Sequence, residues 1–579
     1  MLVNNFSWKI GGEAGYGIKS IGALLARSMM RLGLFVFTYD EYPSLIRGGH
    51  NAFEVTVSPG PINAPKRPIN ILVALDQTTL NQHANELSDD AAVIYNSKTV
   101  KAPTALLPKN TRLFPLPLQE IVSKLGGQKI MHNTVAWGAS LALLDVDFDF
   151  VKTMIESSFD TKDPKIILQN IKVASEGFEY LRRNYSIKDF NYKVEKRNNP
   201  GRILMTGNEA IAWAAIKAGC KLYAGYPMTP STSILHTMAD NADEYGIVFR
   251  QTEDEISAVN MVIGAGYAGW RAMTATSGGG FALMSESLGM AATLEVPLVI
   301  VEAMRPGPST GMPTWSGQGD LRFVLSASQD EFPRFVLAPG DVEQCLNLLP
   351  IAFNLAEKYQ TPVVVMTDKH LAECYKTIDR ANFKPVTIER GEVLSESQLA
   401  KIKDYKRYAY TDSGVSPRAL PGTKGGVHLV NSDEHNESGF TDESSEERVK
   451  MMDKRFRKLE AARKDIPQPV FEGDGHADIT LIGWGSTRGV ILETLKSLQS
   501  QGVKANFLQI LCLSPFPKEA VMNVLKKSKK IAIVENNKTG QLAGWLKENI
   551  GLDPHYKVLK YDGRPFFTEE LIETVKELL

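Results

Sequence analysis

Three acids in a row, Glu253-Asp254-Glu255, open a stretch in which Ile256, Val259, Val262 and Ile263 recur at helical spacing. Carboxylates in a first helical turn face the positive end of the macrodipole, which accounts for two of the three. The third can turn inward with the apolar residues, and a buried acid with a raised pKa becomes a proton carrier. Two loops offer complementary chemistry. Gly225-Tyr226-Pro-Met-Thr229-Pro-Ser-Thr232 sets hydroxyls between and after two prolines. That is either a rigid presentation of donors to a substrate oxygen or a rigid turn without a ligand. Met304-Arg305-Pro-Gly-Pro-Ser-Thr310-Gly-Met-Pro-Thr314 directly follows the apolar run 297–301. Ligands of open α/β sheets bind beyond the carboxyl ends of strands. Arg305 offers a bidentate fork for a carboxylate, helped by Thr310 and Thr314, unless the loop is only a solvated surface turn.

A glycine cluster near the amino terminus, Gly11-Gly12-Glu-Ala-Gly15-Tyr-Gly17, lies between a strand-like run and a helix-like stretch closed by Gly33. Glycines let backbone N–H groups approach a phosphate at a helix N-terminus. The spacing is not the dinucleotide G-x-G-x-x-G, although Asp40 ends the next strand, about where a ribose-binding acid would sit. A nicotinamide cofactor, another phosphate-bearing cofactor and a bare tight turn therefore all stay open. Arg47, in Ser44-Leu-Ile-Arg47-Gly-Gly-His50, suits a phosphate or a ribose, or belongs to a surface loop.

These residues need elements to position them. Short apolar runs alternate with helical patterns almost throughout, the signature of α/β units with parallel strands. At roughly 100–200 residues per domain, the 579 residues of the chain predict a multidomain protein. We read a first domain over residues 1–190, a linker over 193–200 (KVEKRNNP) and a second domain over 200–385, whose first helix has Asn208 as N-cap and Gly219 after its end. An irregular connection over 386–470 follows, then a compact α/β domain over 475–579. The connection holds one helix, from a Ser444-x-x-Glu447 capping box to about Arg463. Its Val449, Met452, Phe456 and Leu459 mark an apolar face, and the basic run 454–458 reads as its solvated face.

Composition narrows the function. Hydrophobic residues make up 43% of the chain, and 65 basic against 66 acidic residues leave a net charge of −1. That balance argues against a dedicated binder of nucleic acid or anionic membranes. No apolar run approaches the ~18–20 residues of a membrane span, no signal peptide is evident, and a cytoplasmic location is expected. The four cysteines stand far apart, without the close pairs of zinc or iron–sulfur sites, so a metal centre would sit on another chain. Gly473-Asp-Gly475 looks like the start of a thiamine diphosphate motif, but the nearest Asn-Asn, Asn536-Asn537, is too distant, and we read the string as linker.

Taken together, these strings resemble the alpha subunit of 2-oxoacid:ferredoxin oxidoreductases, most closely the 2-oxoglutarate type with its gamma domain fused at the amino terminus. GGEAGYGI and EYPSLIRGGHN look like the gamma domain. GYPMTPST is similar to that family's Tyr-Pro-Ile-Thr-Pro loop, with Met228 for isoleucine. EDEISAVNMVIGAGYAGWRAMTATSGGGFALMSE looks like the pyrimidine-side thiamine diphosphate domain, and RPGPSTGMPT like its Arg-Gly-Gly-Pro-Ser-Thr-Gly-x-Pro-Thr loop, with Pro306 for the first glycine. GVSPRALPG, Glu434-His435 and Lys454-Arg455 are usual there too. VENNKTGQLAGWL is similar to the transketolase-carboxyl-terminal-like domain. The resemblance covers nearly the whole chain.

It implies an N-terminal Rossmann-like gamma domain, a pyrimidine-type domain and a transketolase C-terminal-like domain. It implies oxidative decarboxylation of 2-oxoglutarate with coenzyme A to succinyl-CoA, CO₂ and reduced ferredoxin; relatives use pyruvate, branched-chain or broad 2-oxoacids. Glu255, nine residues before Gly264-Ala265, would contact N1′ of the thiamine diphosphate pyrimidine, with Glu253 as the alternative. Thr229 would hydrogen-bond substrate or intermediate, and Arg305, Thr310, Thr314 and Tyr226 would line the 2-oxoacid. Gly12, Gly15, Gly17 and Arg47 would serve the phosphate-bearing ligand, with coenzyme A near that domain. A beta subunit would carry the diphosphate–Mg²⁺ motif and a [4Fe-4S] cluster, completing an (αβ)₂ assembly that passes electrons to ferredoxin. An NAD-linked dehydrogenase and a non-catalytic scaffold subunit are the competing classes.

Overall fold

Trp8, Lys9 and Ile10, successive residues of the strand Phe6–Glu13, are all buried. A strand covered on both faces belongs inside a sheet. Phe6–Glu13 is the fourth of eight strands, in the order Arg112–Leu116, Leu87–Asn96, Ile69–Ala74, Phe6–Glu13, His50–Ser58, Phe35–Glu41, Lys376–Asp379 and Arg202–Met205. The first four run parallel and every later pair is antiparallel. Buried Lys9 survives because it is paired: its Nζ lies 2.6 Å from Glu86 Oε2 and 3.3 Å from Glu54 Oε2.

This computed structural model describes residues 2–45, 48–101, 106–158, 163–188, 190–199 and 201–579. The chain divides into two compact units. One takes the residues up to Met205 together with Cys374–Asn382 and Phe567–Glu573; the other takes Thr206–Glu373, Phe383–Phe566 and Thr574–Leu579. The described residues of the segment read as a linker, 193–199, are packed into the first unit. Tyr192–Lys193 pairs with Leu2–Val3, the Val194 N–H reaches Leu144 O at 3.1 Å, and the Arg197 N–H reaches Leu32 O at 2.7 Å. Polar composition there reflects backbone hydrogen bonding rather than freedom.

The second unit holds two sheets. The larger runs Val248–Gln251, Leu222–Gly225, Ala272–Thr276, Leu298–Met304, Pro362–Asp368, Phe335–Leu337 and Cys512–Ser514, all parallel except the last. The smaller runs Val470–Gly473, Ala505–Gln509, Ile479–Gly483, Lys530–Glu535 and Tyr556–Leu559, antiparallel only at its first pair. One apolar core joins them, from Val299's neighbours Leu298 and Ile300 through Trp484 to Ile533. The string read as linker at 473 thus ends an edge strand.

One cap and one helix face differ from the sequence reading. The helix Gly207–Lys217 begins at Thr206, whose side chain forms a reciprocal capping box with Glu209. Asn208 instead spends its amide on Pro230 O (2.7 Å) and Ser233 Oγ (2.8 Å). The helix Ser445–Ala461 does start at Ser444, but with its polarity reversed. Lys454 and Lys458 are buried, whereas Val449 is 59% exposed and Met452, Phe456 and Leu459 only half-buried. The inward charges close on Glu295, which is fully buried: Lys454 Nζ sits 2.5 Å from Oε1 and Lys458 Nζ 2.6 Å from Oε2. Arg407 donates to the Glu295 carbonyl at 2.7 Å. Arg455 bonds Glu434 at 2.6 Å. The basic run is therefore the inward face that holds this helix.

Candidate active site

Leu222–Gly225, Ala272–Thr276 and Leu298–Met304 are mutually parallel neighbours, so their carboxyl ends share one edge of the sheet. The loops leaving that edge carry the residues singled out above. Leu222–Gly225 passes into Tyr226, which is 39% exposed, and then into Thr229. Ser231 ties the turn by donating both its N–H and its hydroxyl to Met228 O, at 2.8 Å each. Asn208 pins the same turn from below through Pro230 O. Leu298–Met304 passes into Arg305, whose Nη1 donates to Thr229 O at 2.8 Å. The two loops are thereby joined. Thr314 is buried and Thr310 stands exposed on the turn. The Met312 N–H closes that turn on Pro306 O at 2.9 Å.

The three acids separate cleanly. Glu253 is exposed, Asp254 is the N-cap of the helix Glu255–Tyr267 and takes the Ser257 N–H at 2.7 Å, and Glu255 turns inward, 3% exposed. Val259, Val262 and Ile263 turn inward with it, but Ile256 is 46% exposed. Glu255 Oε1 is buried with no hydrogen-bond partner among the described residues. Burial raises its pKa above the usual carboxylate range, and the Asp254 charge adds to that, while a backbone N–H opposes it. An acid left unsatisfied in this way is a site in waiting for a donor.

Gly280 ends the string Ser277-Gly-Gly-Gly280 at the Glu255 carboxyl. A Cβ there would lie 2.1 Å from Thr276 Oγ1 and 2.4 Å from Glu255 Oε1. The Gly280 backbone thus packs directly against the Glu255 carboxyl, an approach that a side chain would block. Met228 Sδ, 3.8 Å from Thr276 Oγ1, brings the proline loop to the same spot. Gly280→Ala is expected to push the Glu255 carboxyl aside at a cost of about 1–3 kcal/mol in folding or in cofactor binding. Titration calorimetry with thiamine diphosphate checks it, and unchanged binding and stability would show that the close approach is not needed.

In the amino-terminal unit Gly12 lies inside the strand, where a Cβ would stand 3.2 Å from Leu75 and 3.3 Å from Ile18; its role there is close packing. Gly15 and Gly17 form the turn into the helix Ile18–Arg31, with Gly17 left-handed at φ 66°. Asn133, which sequence reasoning missed, donates to Tyr16 O at 2.8 Å and Gly17 O at 3.3 Å. Its signal is the polar string His132-Asn-Thr134 opening an otherwise apolar helix. Gly17, Lys19, Arg27, Asn133 and Asn170 line a cavity of about 550 Å³ beside the helix start. Arg47 lies outside the described residues. Asp40 is buried and ion-paired with Lys19 at 3.0 Å, and the antiparallel strand His50–Ser58 intervenes between its strand and Phe6–Glu13. A ribose acid of the dinucleotide type needs adjacent parallel strands, so the nicotinamide reading loses its basis.

The resemblance read from the sequence places an inward acid and an arginine-joined loop pair of this kind in a thiamine diphosphate-dependent 2-oxoacid oxidoreductase subunit, and here both lie at one carboxyl edge of a parallel sheet. Family models agree along the chain. Residues 213–454 match "Pyruvate flavodoxin/ferredoxin oxidoreductase, thiamine diP-bdg", residues 7–180 match "Pyruvate ferredoxin/flavodoxin oxidoreductase" and residues 477–561 match "Pyruvate:ferredoxin oxidoreductase core domain II". The 2-oxoacid:ferredoxin oxidoreductase subunit alpha of Saccharolobus solfataricus is 33% identical, with 99% of this chain and 98% of the relative covered. The chain belongs to the family of 2-oxoacid:ferredoxin oxidoreductase alpha subunits. The 2-oxoglutarate synthase subunit KorA of Archaeoglobus fulgidus is 35% identical over 64% of this chain and 98% of its own. The 2-oxoglutarate:ferredoxin oxidoreductase from Magnetococcus marinus, solved with 2-oxoglutarate, coenzyme A and succinyl-CoA bound, superposes with a TM-score of 0.92 at 31% identity, covering 99% of both chains. No helix among the described residues is long and apolar enough to cross a membrane.

Proposed function

We propose that this chain is the alpha subunit of an enzyme that oxidatively decarboxylates 2-oxoglutarate with coenzyme A, yielding succinyl-CoA, CO₂ and reduced ferredoxin. The observation that carries the reading is the convergence of Glu255, Thr229 and Arg305 on one carboxyl edge of a sheet. Thiamine diphosphate fits there through the orphaned, buried Glu255 Oε1, a carboxyl oxygen left for a donor of the bound group. When bound, it supplies the electron sink for decarboxylation. Glu255 is the acid that holds and returns a proton at the pyrimidine N1′. Arg305 grips the carboxylate of the 2-oxoacid, with Thr310 and Thr314 on its loop. Thr229 offers its hydroxyl to the substrate, and Tyr226 walls the entrance. In the amino-terminal unit, Gly15 and Gly17 with Lys19 and Arg27 suit the phosphates of coenzyme A, a helix start and two cations on one cavity.

A beta subunit supplies the diphosphate–Mg²⁺ motif and a [4Fe-4S] cluster in an (αβ)₂ cytoplasmic assembly, with ferredoxin as acceptor. The subunit designation of the full-length relatives supports a partner of this kind. A second reading keeps the chemistry and broadens the acid: full-length relatives carry the general name 2-oxoacid, and Arg305 meets a carboxylate that every 2-oxoacid has. The deciding assay is coenzyme A-dependent viologen reduction by the complex, purified anaerobically through a tag on this chain, with 2-oxoglutarate, pyruvate and a branched 2-oxoacid in parallel. A preference for 2-oxoglutarate upholds the narrower reading; equal use of all three replaces it with the broader one. Arg305→Lys, which loses the fork but keeps the charge, is expected to raise KM for the 2-oxoacid about tenfold, roughly 1.4 kcal/mol of binding. An unchanged KM would remove Arg305 from the substrate site.

A further inference from the structure

The strands Ile479–Gly483 and Lys530–Glu535 are parallel neighbours in the smaller sheet, and the chain leaves them through Trp484 and Asn536. The sheet continues to Ala505–Gln509 on one side of this pair and to Tyr556–Leu559 on the other, so the strand order reverses between the two. The carboxyl end of such a pair is where open α/β sheets take a ligand. Here a side chain from the other sheet's loop fills it. Gln318, fully buried, lies at the rear of the loop that begins with Arg305. Its Nε2 donates to Trp484 O at 2.9 Å, and its Oε1 accepts the Asn536 N–H at 3.0 Å. Its own N–H donates to Asn536 O at 2.8 Å, and its carbonyl accepts from Asn537 Nδ2 at 3.1 Å. All its polar atoms are thus spent on the ends of those two strands.

The Asn536-Asn537 pair, too distant in sequence to serve Gly473-Asp-Gly475, has its use here. Asn537 is itself fixed, accepting the Gly540 N–H at 2.8 Å and donating to Glu535 Oε2 at 2.8 Å. The loop is held twice more just ahead of Gln318. The Ser316 N–H donates to Gly563 O at 3.0 Å, and the Arg564 guanidinium lies 3.8 Å from the centre of the Trp315 ring. This grip reaches the arginine through one packing contact. Gly317 lies against Pro306, the residue after Arg305: a Cβ on Gly317 would stand 3.3 Å from Pro306 Cγ and 3.4 Å from its backbone nitrogen. The rear of the loop therefore backs its front, and a group that must meet a substrate accurately needs such support.

We propose that the smaller sheet uses its ligand position to clamp this loop, and that Gln318 is a positioning residue that keeps Arg305 aimed at the substrate carboxylate. The clamp stands on the contacts of Gln318 alone; the positioning role rests on the assignment of Arg305 to the 2-oxoacid. Two measurements on the whole complex keep these apart, both made on Gln318→Met, which keeps the volume and loses the side-chain hydrogen bonds. Hydrogen exchange followed by mass spectrometry is expected to quicken at least about tenfold over residues 312–318 and to stay unchanged over the strand Leu298–Met304. Kinetically, KM for the 2-oxoacid is expected to rise about tenfold while KM for coenzyme A stays within about twofold. If Gln318→Met does not fold, Arg564→Met loosens the same loop from the Trp315 side and is expected to shift both readouts in the same direction. Unchanged exchange over 312–318 overturns the clamp. Arg305→Lys is measured in parallel. If it raises the 2-oxoacid KM and Gln318→Met does not, or if Gln318→Met raises both KM values together, the positioning role is overturned. If neither variant moves the 2-oxoacid KM, the assignment of Arg305 fails and takes the positioning role with it.

Discussion

Glu255→Gln is expected to lower coenzyme A-dependent viologen reduction at least about 100-fold, the usual span for losing a positioned acid or base being 10²–10⁴. Glutamine keeps the volume beside Gly280 and Thr276, so packing is preserved and the lost property is the proton. Stability should move the other way. Burial raises the Glu255 pKa above its ordinary 4.5, so the folded chain binds more protons than the unfolded one as pH rises from that value. With ∂ΔG/∂pH set by protons bound unfolded minus folded, this acid erodes stability as pH climbs through the window. Glu255→Gln should therefore melt no lower than wild type at neutral pH while turnover collapses. Retained turnover would leave the chain as a scaffold that completes a partner's site.

Glu295→Gln is expected to cost about 3–5 kcal/mol, because it strands two buried ammonium groups that share one carboxylate. Lys454 and Glu295 are both 0% exposed, and the pair is closed by Lys458 and Arg407. Urea unfolding followed by tryptophan fluorescence gives the measurement. Asp478→Asn, which breaks the exposed Lys529–Asp478 pair (70% and 48%), is the control and should leave the unfolding midpoint essentially unchanged. A small loss at Glu295 would mean that the lysines neutralise or reach water. The pH sign is opposite to that of Glu255. Lys454, Lys458 and Arg407 overcome burial and hold Glu295 below its ordinary 4.5, so its contribution is present above that pH and fades as the solution is acidified through the folded value.

The difference between Glu255 and Glu295 also shows what a one-dimensional reading can reach. Helical spacing and the apolar residues beyond the three acids pointed to one inward carboxyl, but only the resemblance, through the nine-residue spacing to Gly264-Ala265, singled out Glu255. Parallel strands and the loops after them were legible from local periodicity and punctuation. Glu295 was invisible because its partners are 159 residues away on a helix whose run of cations reads, taken alone, as solvated. The reversal of that helix is a long-range electrostatic choice that no local pattern encodes. Asn133 and Asn208 are equally silent in sequence in these roles, since each acts on a backbone brought near only by the fold. Ile256 shows the converse error, an apolar residue in helical register that nonetheless faces outward.

In the eight-stranded sheet of the amino-terminal unit, Phe35–Glu41 lies between His50–Ser58 and Lys376–Asp379, whose Thr377 hydroxyl receives the Val36 N–H from 341 residues upstream. Synthesis runs at about 5–20 residues per second, so Phe35–Glu41 emerges from the ribosome roughly 17–70 s before its last neighbour exists. During that interval its outer N–H and C=O groups form an open edge, the feature that recruits strands from other molecules. The timetable of translation thus becomes a property of this fold. Where the message is read slowly between these two points, the nascent chain waits longer with an unguarded flank, and the yield of intact protein depends on what the cell provides to cover it.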